Sequence, residues 1–166
     1  MERRRMSGGP AGAVKLSLGA GCATLIILFF TLPAWASLGG DVSTIQADQV
    51  HMQGTRRMIA AGPYTVHEIQ ASNSTVVREY VSTDGKVFAV AWHGPWFPDM
   101  GQLLGSYFEQ YQAAMQMQSS THIVRRPVSV NQPGLVVQIG GHIRAFSGRA
   151  YVPEMLPSGV RVEDIQ

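Results

Sequence analysis

Five histidines, at 51, 67, 93, 122 and 142, are the residues of this chain best suited to bind a metal or carry a proton. They are far apart, so no H-x-H or H-x-x-x-H pair presents two imidazoles from one element, and no metal site is expected. Nucleophilic catalysis has no better footing. Cys22 is the only thiol, and no G-x-S-x-G elbow is present. Ser106 in LLGSYF falls at helical spacing, where its hydroxyl bonds back to the backbone, and Ser147 in AFSGRA has strand context. Glu68 and Glu79 fall on neighbouring expected strands, and two facing carboxyls are what glycoside hydrolysis needs. Arg78, Arg144 and Arg149 offer them cross-strand ion pairs, the more ordinary arrangement. Gly39-Gly40 and Gly140-Gly141 read as turns and match no phosphate loop. No catalytic residue and no cofactor is assigned.

One stretch stands out. WHGPWFPD, residues 92–99, crowds two tryptophans, a histidine and a phenylalanine around turn-forming Gly and Pro. Such a cluster either plugs a corner of the core or presents an aromatic platform to a sugar ring or peptide. Strand alternation assigns Trp92 to the core, whereas Trp96 and Phe97 fall outside any period. Trp96, Phe97 and His93 are therefore the binding candidates.

The elements that position this loop follow from periodicity. YTVHEIQ, TVVREYV and KVFAVAW are rich in β-branched and aromatic residues and are separated by ASNS and STDGK, which predicts an antiparallel meander. In STDGK a left-handed Gly85 closes a turn with a bulge, setting Ser82 opposite Lys86 and Tyr80 opposite Phe88; a two-residue Asp84-Gly85 loop shifts this register by one. Alternation then places Phe88, Val90 and Trp92 on one face and Val87, Ala89, Ala91 and His93 on the other. Both faces are apolar, as in a central strand covered on both sides. Asp99 is an N-cap with Gln102 in the capping-box position, and Leu103, Leu104, Tyr107, Phe108, Tyr111 and Met115 recur at helical spacing. This helix is expected on the low Ala89/Ala91 face, with QAAMQMQSST as a fraying end or linker. HIVRRPVSV, GLVVQIG and HIRAFSGRAYV complete the strands, and Pro127 marks the first as an edge strand or as bulged there. Before the meander, Asp41 caps a thin helical pattern that ends at Gly54, with Arg56 and Arg57 at its solvated end.

Residues 1–36 have the order of a secretory signal: Arg3, Arg4, Arg5 and Lys15, then an apolar run from Leu16 to Leu32, then PAWAS. Ala34 and Ala36 fit a small-x-small cleavage site, giving a mature chain from Ser37. The alternative is an uncleaved inner-membrane anchor, for which the apolar core is short. Cleavage removes Cys22 and with it any disulfide. It also removes four of the 13 Lys and Arg and one of the 11 Asp and Glu, so the net charge of +2 becomes −1. A nucleic-acid partner is not expected of a chain without basic excess.

The segments ASLGG, TVVREYVSTDGKVFAVAWHGP, PDMGQLLGSYFEQY and GGHIRAFSGRAYVPEMLPSGVRVEDI resemble the exported Gram-negative family catalogued as domain of unknown function 2844. SNS stands where that pattern has a glycine-bearing turn, and Trp96-Phe97 makes the loop unusually aromatic. The resemblance implies a secreted or periplasmic protein and brings no catalytic residues. The expected organisation is a signal peptide over 1–36, an N-terminal helix or arm over 37–62, and an α+β domain over 63–166. That single domain is an antiparallel sheet of five or six strands with one main helix packed on it. The expected function is a non-catalytic envelope module that binds a partner protein or polysaccharide and meets the membrane only through its leader. The alternative is a small hydrolase acting on cell-wall or extracellular glycan.

Overall fold

The β-rich segments form the centre of the protein, whose computed structural model describes residues 38–121 and 127–166. The leader, with Cys22, Ala34 and Ala36, and also His122, lies outside the described residues. Seven strands form one antiparallel sheet: β1 Thr55–Ala60, β2 Tyr64–Gln70, β3 Val76–Ser82, β4 Val87–Gly94, β5 Val128–Gln132, β6 Leu135–His142 and β7 Ala145–Tyr151. Their spatial order is β1-β2-β3-β4-β7-β6-β5, two meanders joined where β4 pairs with β7. The chain crosses from β4 to the far edge through α2 Met100–Leu104 and α3 Phe108–Thr121. A short 3-10 turn and α1, Ile45–His51, precede the sheet. Among the described residues no helix is long and apolar enough to cross a membrane.

The strand beyond the expected six is β1. Its residues TRRMIA show no clean alternation and are exposed throughout, which is how an edge strand with one neighbour looks. Arg56 and Arg57 thus lie on a strand rather than at a helix end. At the other edge, β5 begins just after Pro127, as that proline requires. Ser74 takes φ +68°, the left-handed geometry for which a glycine is the usual choice in that turn.

The STDGK turn forms with Gly85 at φ +80° and with Ser82 N–H donating to the Lys86 carbonyl at 2.9 Å. Past it the expected register fails. Val81 faces Val87 but Tyr80 faces Ala89, so Phe88 is the extra residue of a β-bulge. One inserted residue inverts the faces of everything on one side of it. Val87, Val90 and Trp92 therefore share a face, while Phe88 joins Ala89 and Ala91 on the other. The helices follow: Met100, Leu103, Leu104 and Ala114 pack on the Val90/Trp92 face, not on the alanines. The alanine face is covered by the C-terminal segment, whose Met155, Leu156, Val160 and Ile165 pack against Phe88, Ala89, Ala91, Tyr80 and Val66. β4 is buried on both sides from Val87 to Trp92, as its composition demands.

The Asp99 cap forms as expected, its carboxylate accepting from Gly101 and Gln102 N–H at 2.8 and 3.2 Å. The helix it starts breaks at Gly105, which sits at φ +51°, so Ser106 lies in a 3-10 turn before α3. α3 then continues through the QAAMQMQSST segment to Thr121, so that segment is helix rather than linker. Gln110 and Gln118 anchor it by donating to the carbonyls of Pro133 and Ser129 at 2.8 and 2.9 Å. At the N-terminal end, Leu38 is fully buried and its N–H donates to Leu103 O at 3.0 Å; Gly39 N–H donates to Val87 O at 2.7 Å.

Candidate functional site

The two faces of the sheet carry different chemistry. On the helix face, register alone brings His67 of β2 beside Glu79 of β3. α1 lowers Asp48 onto Glu79, and α2 supplies Gln102, whose amide donates to Asp48 Oδ1 at 2.5 Å. All four side chains are buried, Glu79 to 1 % exposure. Glu79 does not meet an arginine as expected; it meets a second carboxyl. Burial, then the charge of Asp48 and a hydrogen bond with it, push the Glu79 carboxyl well above its usual range. Burial also raises Asp48, against hydrogen bonds from Gln102 and Glu79. One proton shared by the two carboxyls, carried by Glu79, supplies a partner for Asp48 Oδ2 and Glu79 Oε2, which otherwise have none. Burial and then Arg56 hold the His67 imidazole below its usual range, so it is neutral. This cluster is buried beneath helices and joins α1, α2 and the sheet, with Gln102 reaching the wall of a hollow.

Glu68 points to the opposite face. Arg57 and Arg78 both donate to it, through Nε, at 2.7 and 2.8 Å. Burial works against its charge, but the bonds from Arg78 and Arg57 outweigh it and hold the carboxyl below its usual range. The expected Glu68–Arg78 pairing thus forms, and Glu68 and Glu79, on opposite faces, do not flank one substrate.

The aromatic loop divides. Trp92 is 2 % exposed and lies over its cross-strand partner Gly148, where a β-carbon would stand 2.7 Å from the indole Cε2. Phe97, 40 % exposed, stacks edge-on against Trp92 and Phe146, with ring centroids 6.1 Å away in each case. It also rims a hollow of about 230 Å³ shared with His51, Asn73 and Asp99. Trp96 is 61 % exposed, and the loop is tied down beneath it by the Thr75 hydroxyl, which donates to Trp96 O at 3.0 Å. His93 faces the other side of the sheet. The three binding candidates therefore do not converge on one surface.

His93 instead borders a groove of about 650 Å³. It lies on the sheet face that carries Glu68, over the β4, β7, β6 and β5 strands, beside Ile165 and Gln166. Its floor is low because Ser147 and Gly140, cross-strand partners, carry almost no side chain. Arg149, Gln138 and Ser129 form one side; Arg78, Ile165 and Gln166 form the end toward the covered half. Arg149 is held by Gln138, which accepts from its Nε at 2.8 Å, and by the carbonyls of Val162 and Ile165 at 2.6 and 3.2 Å. Arg78 is divided between Glu68 and the Gln166 oxygen, the latter at 2.7 Å. Among the described residues no aspartate or glutamate lines the groove. Of these residues, sequence reasoning singled out only His93 for binding. Alternation places Ser147 and Arg149 on one face of β7, but no local signal reveals that β7 pairs with β4.

Among the described residues no three His, Cys, Asp or Glu come together to hold a metal ion. A family model described as a protein of unknown function, DUF2844, matches residues 34–165. No curated protein and no solved structure matches the chain.

Proposed function

The chain belongs to the DUF2844 family, and we propose that it is an exported, non-catalytic module that holds a protein or polymer partner in the groove beside His93. The observation that carries this reading is the groove itself: about 650 Å³ of concavity, lined by hydrogen-bonding side chains of which Arg78, Gln138 and Arg149 are tied to neighbours, on a half of a sheet face that the described residues leave open. Its arginines are tied to neighbours and suit binding more than proton transfer. The close carboxyl pair, Asp48 and Glu79, is sealed on the other side of the sheet. The signal-like leader supports export, with a periplasmic or secreted destination after cleavage. Exposed Trp96 offers a further contact at the sheet end.

A glycan and peptide array probed with the protein and with Ser147→Trp tests the reading. The new indole fills the groove from an exposed position without touching the core. Ligands retained by the parent and lost by Ser147→Trp, at an unchanged melting temperature, are expected. Equal binding by both proteins overturns the groove assignment. Release of new reducing ends from a bound glycan overturns the non-catalytic part and makes the chain a hydrolase.

A further inference from the structure

We infer that the groove takes an acidic glycan, with a carboxylate-bearing sugar seated against Arg149; this rests on the groove being the binding site. Arg149 is half-buried, fixed by three hydrogen bonds, and bonded only to an amide and to backbone carbonyls. Among the described residues no carboxylate pairs with it. By contrast, Arg57 and Arg78 share Glu68, and Arg161 pairs with Asp164. A guanidinium held rigid in a concavity, with no side-chain carboxylate bonded to it, is a receptor for an oxyanion. The lining also supplies hydrogen-bonding groups of the kind sugar hydroxyls use: the Ser129 and Ser147 hydroxyls, the Gln138 amide and the His93 imidazole.

The place of the groove in the fold favours a glycan over an acidic peptide. It lies on the face of the sheet, and the β4, β7 and β6 backbones beneath it are spent on their own ladders. Peptides added to sheets are read by main-chain bonds along a free edge. The edge strand bordering the groove is β5, and a peptide paired with it would run beside the groove, two strands away from Arg149 on β7. Recognition falls to side chains, which suits a ligand of hydroxyls and carboxylates.

Titration calorimetry with trigalacturonate, maltotriose and a short poly-glutamate peptide tests this. Ser147→Glu is the informative variant because it puts a carboxylate in the groove and leaves the structural bonds of Arg149 intact. Trigalacturonate is expected to bind more tightly than maltotriose, and more weakly as salt rises. Ser147→Glu should weaken it by about tenfold or more, the equivalent of one charged hydrogen bond, while leaving maltotriose unchanged. Arg149→Lys should lose much of the affinity, since one ammonium cannot hold Gln138, Val162 and Ile165 and also present the donor that Nη2 leaves free for the ligand. Maltotriose bound as tightly as trigalacturonate, and lost in Ser147→Trp, overturns the acidic class and leaves the groove standing. Poly-glutamate bound more tightly than trigalacturonate overturns the glycan, as does failure of trigalacturonate to bind. Trigalacturonate binding that Ser147→Trp leaves intact overturns the groove itself.

Discussion

Glu79→Gln replaces a buried carboxyl that must keep its proton with an amide of the same shape that has none to lose. In the parent, Glu79 lies at 1 % exposure beside Asp48, with burial and then the Asp48 charge raising its carboxyl well above the usual range. The groups facing it are Asp48 and Gln102, with His67 from β2 and Arg56 from β1. Once pH exceeds about 4.3, the unfolded chain releases the Glu79 proton and the folded one retains it. A raised folded value means that the stability from this group is complete below the unfolded value and declines as pH rises toward the folded one. The decline is about 1.4 kcal/mol per pH unit for a single proton. His67 works in the opposite direction, because its lowered value makes the folded state lose stability as pH falls through the usual imidazole range. The parent's own profile therefore mixes the two, and the difference between variant and parent cancels His67 and reports the Asp48–Glu79 pair. Urea melts followed by the fluorescence of buried Trp92 should give near-equal stabilities at about pH 4, since the amide still donates toward Asp48. Above about pH 5 the variant should gain on the parent by about 1.4 kcal/mol per unit until the folded carboxyl itself begins to ionise. A difference that stays flat across this range would mean Glu79 is ionised in the fold, and the shared-proton account would be wrong.

Trp92→Ala should leave a cavity costing about 3–5 kcal/mol, whereas Trp96→Ala should cost less than about 1 kcal/mol, and denaturant melts of the two variants compare them directly. Gly148→Ala should cost about 1–3 kcal/mol by thermal melting, because its β-carbon would stand 2.7 Å from Trp92 Cε2 and 2.8 Å from Gln138 O. If the leader is removed after Ala36, intact mass spectrometry of the exported protein begins at Ser37; a full-length mass in the membrane fraction would instead mark an anchor.

The sequence determined the elements whose signals are local. Alternating β-branched residues announced β2, β3, β4, β6 and β7, and Asp99 announced the start of α2, because each depends on neighbours a few positions away. Gly85 was legible for the same reason: its turn is closed by the residues on either side. The sequence also marked Trp92 as core and Trp96 as outside the period. The tertiary structure decided what depends on distant partners. The bulge at Phe88 arises where β3 and β4 fit together, and with one residue it exchanged the faces of the central strand. That exchange put the helices over Val90 and Trp92 and gave the alanine face to the C-terminal segment. β1, with an uneven pattern, became a strand only because β2 offered an edge. Glu79 and Asp48 meet across 31 positions of chain, and Arg149 enters the groove through the β4–β7 pairing. Periodicity assigns a side chain to a face, but it holds no information on which distant residues share that face; packing settles that.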